Sequence, residues 1–145
     1  PGEEREQEKK QIVFGLSPEL FDPNDRETTI EVKDLIPGRE YTMRVWMTED
    51  DPDFEVANQE PFAPDETSKI VGKQLDMAIY SPDGPKLVNH RSSIVVKSKQ
   101  ELDSDPETEP NYFDFNFIPK GGDQYWFMTD IYYKHKLLTT QRIEL

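Results

Sequence analysis

Asn111-Tyr-Phe-Asp-Phe-Asn-Phe-Ile-Pro-Lys-Gly-Gly-Asp-Gln-Tyr-Trp-Phe-Met-Thr-Asp-Ile-Tyr-Tyr133 holds half of the chain's eight Phe, four of its six Tyr and one of its two Trp. On either side of Pro119-Lys120-Gly121-Gly122 the apolar residues alternate with polar ones, the period of a half-buried strand. The stretch therefore predicts two consecutive β-strands joined as a hairpin at that turn, with Phe113, Phe115, Phe117, Tyr125 and Phe127 turned inward. Two strands cannot bury such a face alone, so the remaining strands must supply its cover.

Working outward, the same alternation recurs. Gln11 to Leu16 is a short apolar run expected to stop at Ser17-Pro18, with a turn from Leu20 to Asp25. Thr28 to Leu35 sets Ile30 and Val32 against charged neighbours, and Ile36-Pro37-Gly38-Arg39 turns the chain. Glu40 to Thr48 puts Tyr41, Met43, Val45 and Met47 on one face and Thr42, Arg44 and Trp46 on the other. Gln74 to Tyr80 sets Leu75, Met77 and Ile79 against Asp76, Ala78 and Tyr80. Ser81-Pro82-Asp83-Gly84 carries turn chemistry, Lys86 to His90 reads as its return strand, Ser93 to Ser98 as another, and Lys136 to Leu145 as a last strand. About eight strands with frequent turns and no amphipathic helix predict an all-β fold, an antiparallel β-sandwich of jelly-roll or Ig-like type. The expected core is Ile12, Phe14, Ile30, Val32, Tyr41, Met43, Val45, Leu75, Met77, Ile79 and the five aromatic residues named above.

The chain of 145 residues is the size of one domain. Residues 1–10 lack any apolar side chain and read as a charged linker or disordered terminus, leaving 11–145 as a single sandwich domain with acidic loops at 49–68 and 99–110. Thirty acidic against seventeen basic residues give a net charge of −13, a field that repels phosphate backbones and argues against a nucleic-acid partner. No apolar run is long enough to insert in a bilayer as a helix. With no cysteine there is neither disulfide nor thiolate chemistry. An extracellular, periplasmic or cell-surface setting is favoured, and a cytoplasmic or secretory-pathway one stays open.

Three pieces in order, Leu75-Asp-Met-Ala-Ile-Tyr-Ser-Pro-Asp-Gly84, Phe113-Asp-Phe-Asn-Phe117 and Gly122-Asp-Gln-Tyr-Trp-Phe127, give a resemblance to bacterial prepeptidase C-terminal (PPC) domains and the related collagen-binding domains of secreted collagenases. The closing order is also similar to that of the GOLD domain of cargo receptors. Leu35-Ile-Pro-Gly-Arg-Glu-Tyr41 suits the PPC pattern too. The resemblance covers residues 28–48 and 74–133; it lacks the cysteine pair usual in cargo-receptor GOLD domains, and the 49–68 insert is typical of neither family. It implies a sandwich with a non-catalytic accessory role inside a larger, exported protein.

Two constellations could carry function. Asp50, Asp51 and Asp53 in one acidic loop, and Asp103, Asp105 and Glu107 in the other, concentrate the hard oxygen ligands that Ca2+ requires. The EF-hand template fails in both: counted from Asp103 its sixth and twelfth positions are Thr108 and Asp114, and from Asp51 they are Val56 and Phe62. Solvated charge is the competing reading. The second constellation is aromatic. Alternation turns Trp46, Trp126, Met128 and Tyr132 outward, with Arg44 and Asp130 nearby, a composition enriched in binding surfaces; cover by the 49–68 loop is the alternative. His90 and His135 stand without a catalytic motif, so no enzyme is expected. The sequence thus predicts an interaction module, covalently part of a larger chain or assembly, that binds a protein or extracellular polymer through an aromatic sheet face and takes no cofactor unless Ca2+ rigidifies its loops. The alternative is a structural subunit pairing through edge strands.

Overall fold

The computed structural model describes residues 14–49, 70–82, 84–121 and 125–145. The expected 1–10 linker, Ile12, the 49–68 loop beyond its first residue, and the turn residues Asp83 and Gly122 to Gln124 lie outside them.

Nine strands are described: β1 (Phe14–Asp22), β2 (Asp25–Ile30), β3 (Tyr41–Glu49), β4 (Gln74–Tyr80), β5 (Lys86–Leu87), β6 (Arg91–Val95), β7 (Tyr112–Ile118), β8 (Trp126–Tyr133) and β9 (Lys136–Glu144). They form two antiparallel sheets, ordered β2-β1-β3-β7-β5 and β6-β4-β8-β9. The fold is the all-β sandwich that the alternating pattern predicts. One short α-helix, α1 (Lys99–Ser104), and a 3-10 turn at Val32–Asp34 complete the described elements.

The core fills the space between the sheets. Tyr41, Met43 and Val45 stand opposite Phe117, Phe115 and Phe113 within the five-stranded sheet, Met47 follows on the same face of β3, and Leu75, Met77, Ile79, Phe127, Ile131 and Ile143 face them from the other. Each is removed from water, contributing about 1.5–3 kcal/mol for a large side chain. Ile30 and Val32 are only partly buried at the core's margin.

The expected hairpin at 111–133 is not one. β7 pairs with β3 and β5, whereas β8 pairs with β4 and β9. The chain crosses from one sheet to the other at the Pro119 turn. Both strands bring aromatic rings to the same core, so pairing them side by side would leave those rings with nothing opposite. The return strand after β4 is corrected likewise. Lys86 and Leu87 join β7 in the other sheet, and β6 is the strand that pairs with β4.

Two asparagines hold the crossings from β5 to β6 and from β6 to β7. Asn89 reaches β7 through its side-chain amide, donating to the Asp114 carbonyl at 3.1 Å and accepting from the Asn116 N–H at 2.6 Å, while the next carbonyl, that of His90, accepts from Ile79 in β4. Buried Asn111 exchanges both bonds of its amide with the backbone of Lys97, at 2.8 and 2.9 Å. A buried amide so satisfied carries little desolvation cost.

Pro18, expected to end the first strand, lies inside β1. There β1 pairs with β3 on one side, and the β2 pairing begins only at Leu20. Among the described residues the second side has no partner there, a place where a missing N–H is tolerated. The turn shrinks to Pro23-Asn24. The expected strand through Thr28–Leu35 ends at Ile30 and tightens into the 3-10 turn. Gly72 is a turn residue at φ +80°.

Candidate functional site

The outward residues of β3 and β7 meet as a ladder of directly opposed pairs. Thr42 faces Asn116, Arg44 faces Asp114 and Trp46 faces Tyr112. Thr42 Oγ1 donates to Asn116 Oδ1 at 2.8 Å. Arg44 donates from Nε and Nη2 to the two oxygens of Asp114, at 2.9 and 3.2 Å, and Asp114 also accepts from Arg26 Nη1 at 3.1 Å. The bidentate geometry suits a guanidinium and no other cation.

Arg44 is also enclosed by rings. Its guanidinium carbon lies 3.9 Å from the Tyr112 ring centre and 5.4 Å from those of both Phe21 and Trp46. Trp46 and Tyr112 meet edge to face at 5.3 Å. Phe21 points to this outer side of β1 and is still buried, at 3% exposure. The Asp114 hydrogen bonds, outweighing burial, push the Arg44 pKa still higher, and burial lifts the Tyr112 phenol above its ordinary value. Trp46 keeps its indole N–H buried and without an acceptor among the described residues. This face is a packed layer in which Arg44 and Trp46 are already committed.

The other outward set lies on the opposite side of the sandwich. On β8, Trp126, Met128, Asp130 and Tyr132 alternate with buried Phe127, Thr129 and Ile131. Cross-strand pairing extends Met128 into a row with Tyr80 on β4 and Arg142 on β9. Arg142 sits 4.4 Å over the Trp126 ring and also pairs with Glu144 at 2.9 Å. Asp130 accepts from Thr140 Oγ1 at 2.7 Å and from the Tyr132 hydroxyl at 3.4 Å. Tyr80 is 40% exposed; desolvation, and then the carboxylate of Asp130, raise its phenol pKa. At the end of this face Asp76, Arg91, Tyr132 and His135 surround a pocket of about 230 Å³.

The five aromatic-face candidates therefore separate. Trp126, Met128 and Tyr132 share one surface, while Arg44 and Trp46 belong to the other sheet. Arg44 does not approach Asp130 or Tyr132. Alternation assigns a residue to one face of its own strand, but it carries no information on which sheet that strand joins. Tyr80 and Arg142, which complete the row, were legible as outward residues of their strands once β4 and β9 were known to flank β8.

Of the carboxylates considered for Ca2+, Asp50, Asp51 and Asp53 lie outside the described residues. Asp103 is on α1, while Asp105 bends back to accept the Glu107 N–H at 3.0 Å. Among the described residues no three His, Asp or Glu side chains converge as a metal group would require. The 99–110 loop contains a helix because Ser98 caps it, accepting from the Glu101 N–H at 3.1 Å. Ser98-Lys-Gln-Glu101 has the S-x-x-E form of a capping box, a signal present in the sequence.

Compared with protein-family models, curated proteins and solved structures, the chain gives no significant match, and neither the PPC nor the GOLD resemblance is identified by one.

Proposed function

We propose that the chain is a non-catalytic interaction module that binds a protein or an extracellular polymer through the outer face of the four-stranded sheet. The observation that carries this reading is the row Tyr80–Met128–Arg142, flanked on β8 by Trp126 and Tyr132. It combines aromatic area, a polarizable thioether and a guanidinium on rigid strands, the residue types that dominate binding energy at interfaces. Asp130, held by Thr140 and Tyr132, places one oriented acceptor in the middle of that surface.

Arg44 and Trp46 support the sandwich in this reading and make no contact with the partner. Ca2+ enters as an accessory that would stiffen either acidic loop, with Asp50, Asp51 and Asp53 as the candidate ligands in one and Asp103, Asp105 and Glu107 in the other. Calorimetry with CaCl2 on EDTA-treated protein tests that part separately, where a flat trace ends it.

Peptide and glycan arrays probed with the wild-type chain test the main proposal. Spots that retain the wild type and lose Trp126→Ala and Tyr80→Ala support it. Equal retention of both variants, or no retained spot on either array, overturns it. A second reading, assembly through edge strands, is favoured by one observation: β9 ends the four-stranded sheet and has no described strand on its second side.

A further inference from the structure

Among the described residues, the outer edge of β9 has a defined set of backbone groups with no partner strand. Leu145 donates its N–H to the Tyr125 carbonyl at 3.0 Å, which fixes the alternation of the β8–β9 ladder. Residues Ile143 and Gln141, opposite Phe127 and Thr129, then turn their N–H and C=O groups toward β8. Thr140, Arg142 and Glu144 turn theirs to the open side. Natural edges of this length are blunted by lysine, proline or a bulge. Thr139 to Glu144 has neither lysine nor proline, its two charges Arg142 and Glu144 neutralise each other, Lys136 stands at the far end of the strand, and the ladder's irregularity lies there too, between Ile131 and Tyr132.

Beside that edge is a groove of about 480 Å³ where β1 and β2 pass β9's end. Its apolar lining includes Leu20, Ile30 and Val32, and its acidic lining is Glu19, Glu31 and Glu144. Glu31 meets Lys33 at 3.1 Å and Glu144 meets Arg142, but these pairs are exposed and exchange readily with a stronger partner. Among the described residues no basic side chain lines the groove.

We infer that the Thr140–Glu144 edge and this groove capture an extended, basic and apolar segment of a partner protein by strand addition. The segment's backbone would pair with Thr140, Arg142 and Glu144, its apolar side chains would enter toward Leu20 and Ile30, and its lysines or arginines would meet Glu19 and Glu31. A second copy of the chain is a poor occupant, because each copy carries a net charge of −13. The inference rests on the edge geometry and is independent of the aromatic face.

The test uses a fluorescein-labelled peptide of alternating Lys and Val, its Glu-Val counterpart, and the whole chain. The Lys-Val peptide is expected to bind and to slow amide exchange at Thr140, Arg142 and Glu144. Thr140→Pro removes an N–H that β8 does not use, together with the hydroxyl that bonds Asp130, and peptide affinity should fall by about tenfold or more. Glu19→Lys with Glu31→Lys should weaken binding comparably. Equal binding of the Glu-Val peptide, unchanged affinity in Thr140→Pro, protection elsewhere, or no binding of either peptide overturns the inference. So does sedimentation showing that the edge is occupied by a second copy. Exchange protection is read on the wild-type chain and decides the matter should Thr140→Pro fail to fold.

Discussion

Phe117 and Phe127 meet edge to face across the sandwich, with ring centres 5.6 Å apart and planes inclined at 71°. One comes from the end of β7 and the other from the start of β8, so this contact joins the two sheets where the chain itself crosses between them. Both rings are fully buried. Either replacement by Ala should cost about 3–5 kcal/mol in urea unfolding, and a double-mutant cycle should return about 0.5–1.5 kcal/mol of coupling between them. Independent, additive losses would show that the contact adds nothing beyond burial.

Arg44 should behave as part of the fold rather than as a binding residue. Arg44→Ala removes two hydrogen bonds from Asp114 and empties the space between the Phe21 and Tyr112 rings. A loss of about 2–3 kcal/mol is expected, and Arg44→Lys should recover little of it, because an ammonium can neither pair bidentately nor stack. Chemical denaturation of the two variants checks both statements. Full recovery by Lys would mean that charge alone matters there.

These two cases show what the sequence carries. Alternation is a local property, so Tyr41, Met43, Val45, Phe113 and Phe115 were legible as core from their own strands, and Trp126 and Tyr132 as outward. The partner of a strand is a non-local property. The turn at Pro119–Gly121 looks like a hairpin turn in sequence, yet its chain passes between sheets because the Phe side chains on both flanks must meet. For the same reason Arg44 and Trp46 could not be separated from Trp126 before the sheets were known. Pro18 misled in a related way, since its turn signal is overridden where β1 has only one neighbour. The helix at Lys99–Ser104 was legible through the Ser98 cap but masked by the acidic character of its loop.

The turn between β8 and β9 can be improved. Tyr133 pairs with Lys136, and Lys134 and His135 between them adopt φ +49° and +66°, the left-handed pair of a type I′ hairpin. Side chains other than Asn, Asp and Gly are disfavoured there. Replacing Lys134-His135 by Asn-Gly should stabilise the chain by about 1 kcal/mol, raising the melting temperature by a few degrees. Unchanged or lower stability would mean that the His135 side chain, which lines the pocket with Asp76, Arg91 and Tyr132, contributes more than its backbone strain costs.

Asp76 gives the acid limb a defined contributor. Hydrogen bonds from Ser93 Oγ and then Gln74 Nε2 to its Oδ1 hold its carboxyl below the ordinary range. A carboxyl whose folded value lies below its unfolded value adds stability that is complete above the unfolded value. That stability is lost as pH falls through the folded one. Ser93→Ala removes the larger of the two causes, so the folded Asp76 value should rise toward its unfolded value and Asp76's share of the acid-limb slope should shrink. A carboxyl-detected NMR titration of wild type and variant reads the shift directly. Urea melts between pH 2 and pH 5, roughly the range below and around an unperturbed Asp, should show the variant losing less stability on acidification than the wild type. An Asp76 titration that does not move would place the cause in the remaining Gln74 hydrogen bond and then in the charges of His135 and Arg91, which act in the same direction.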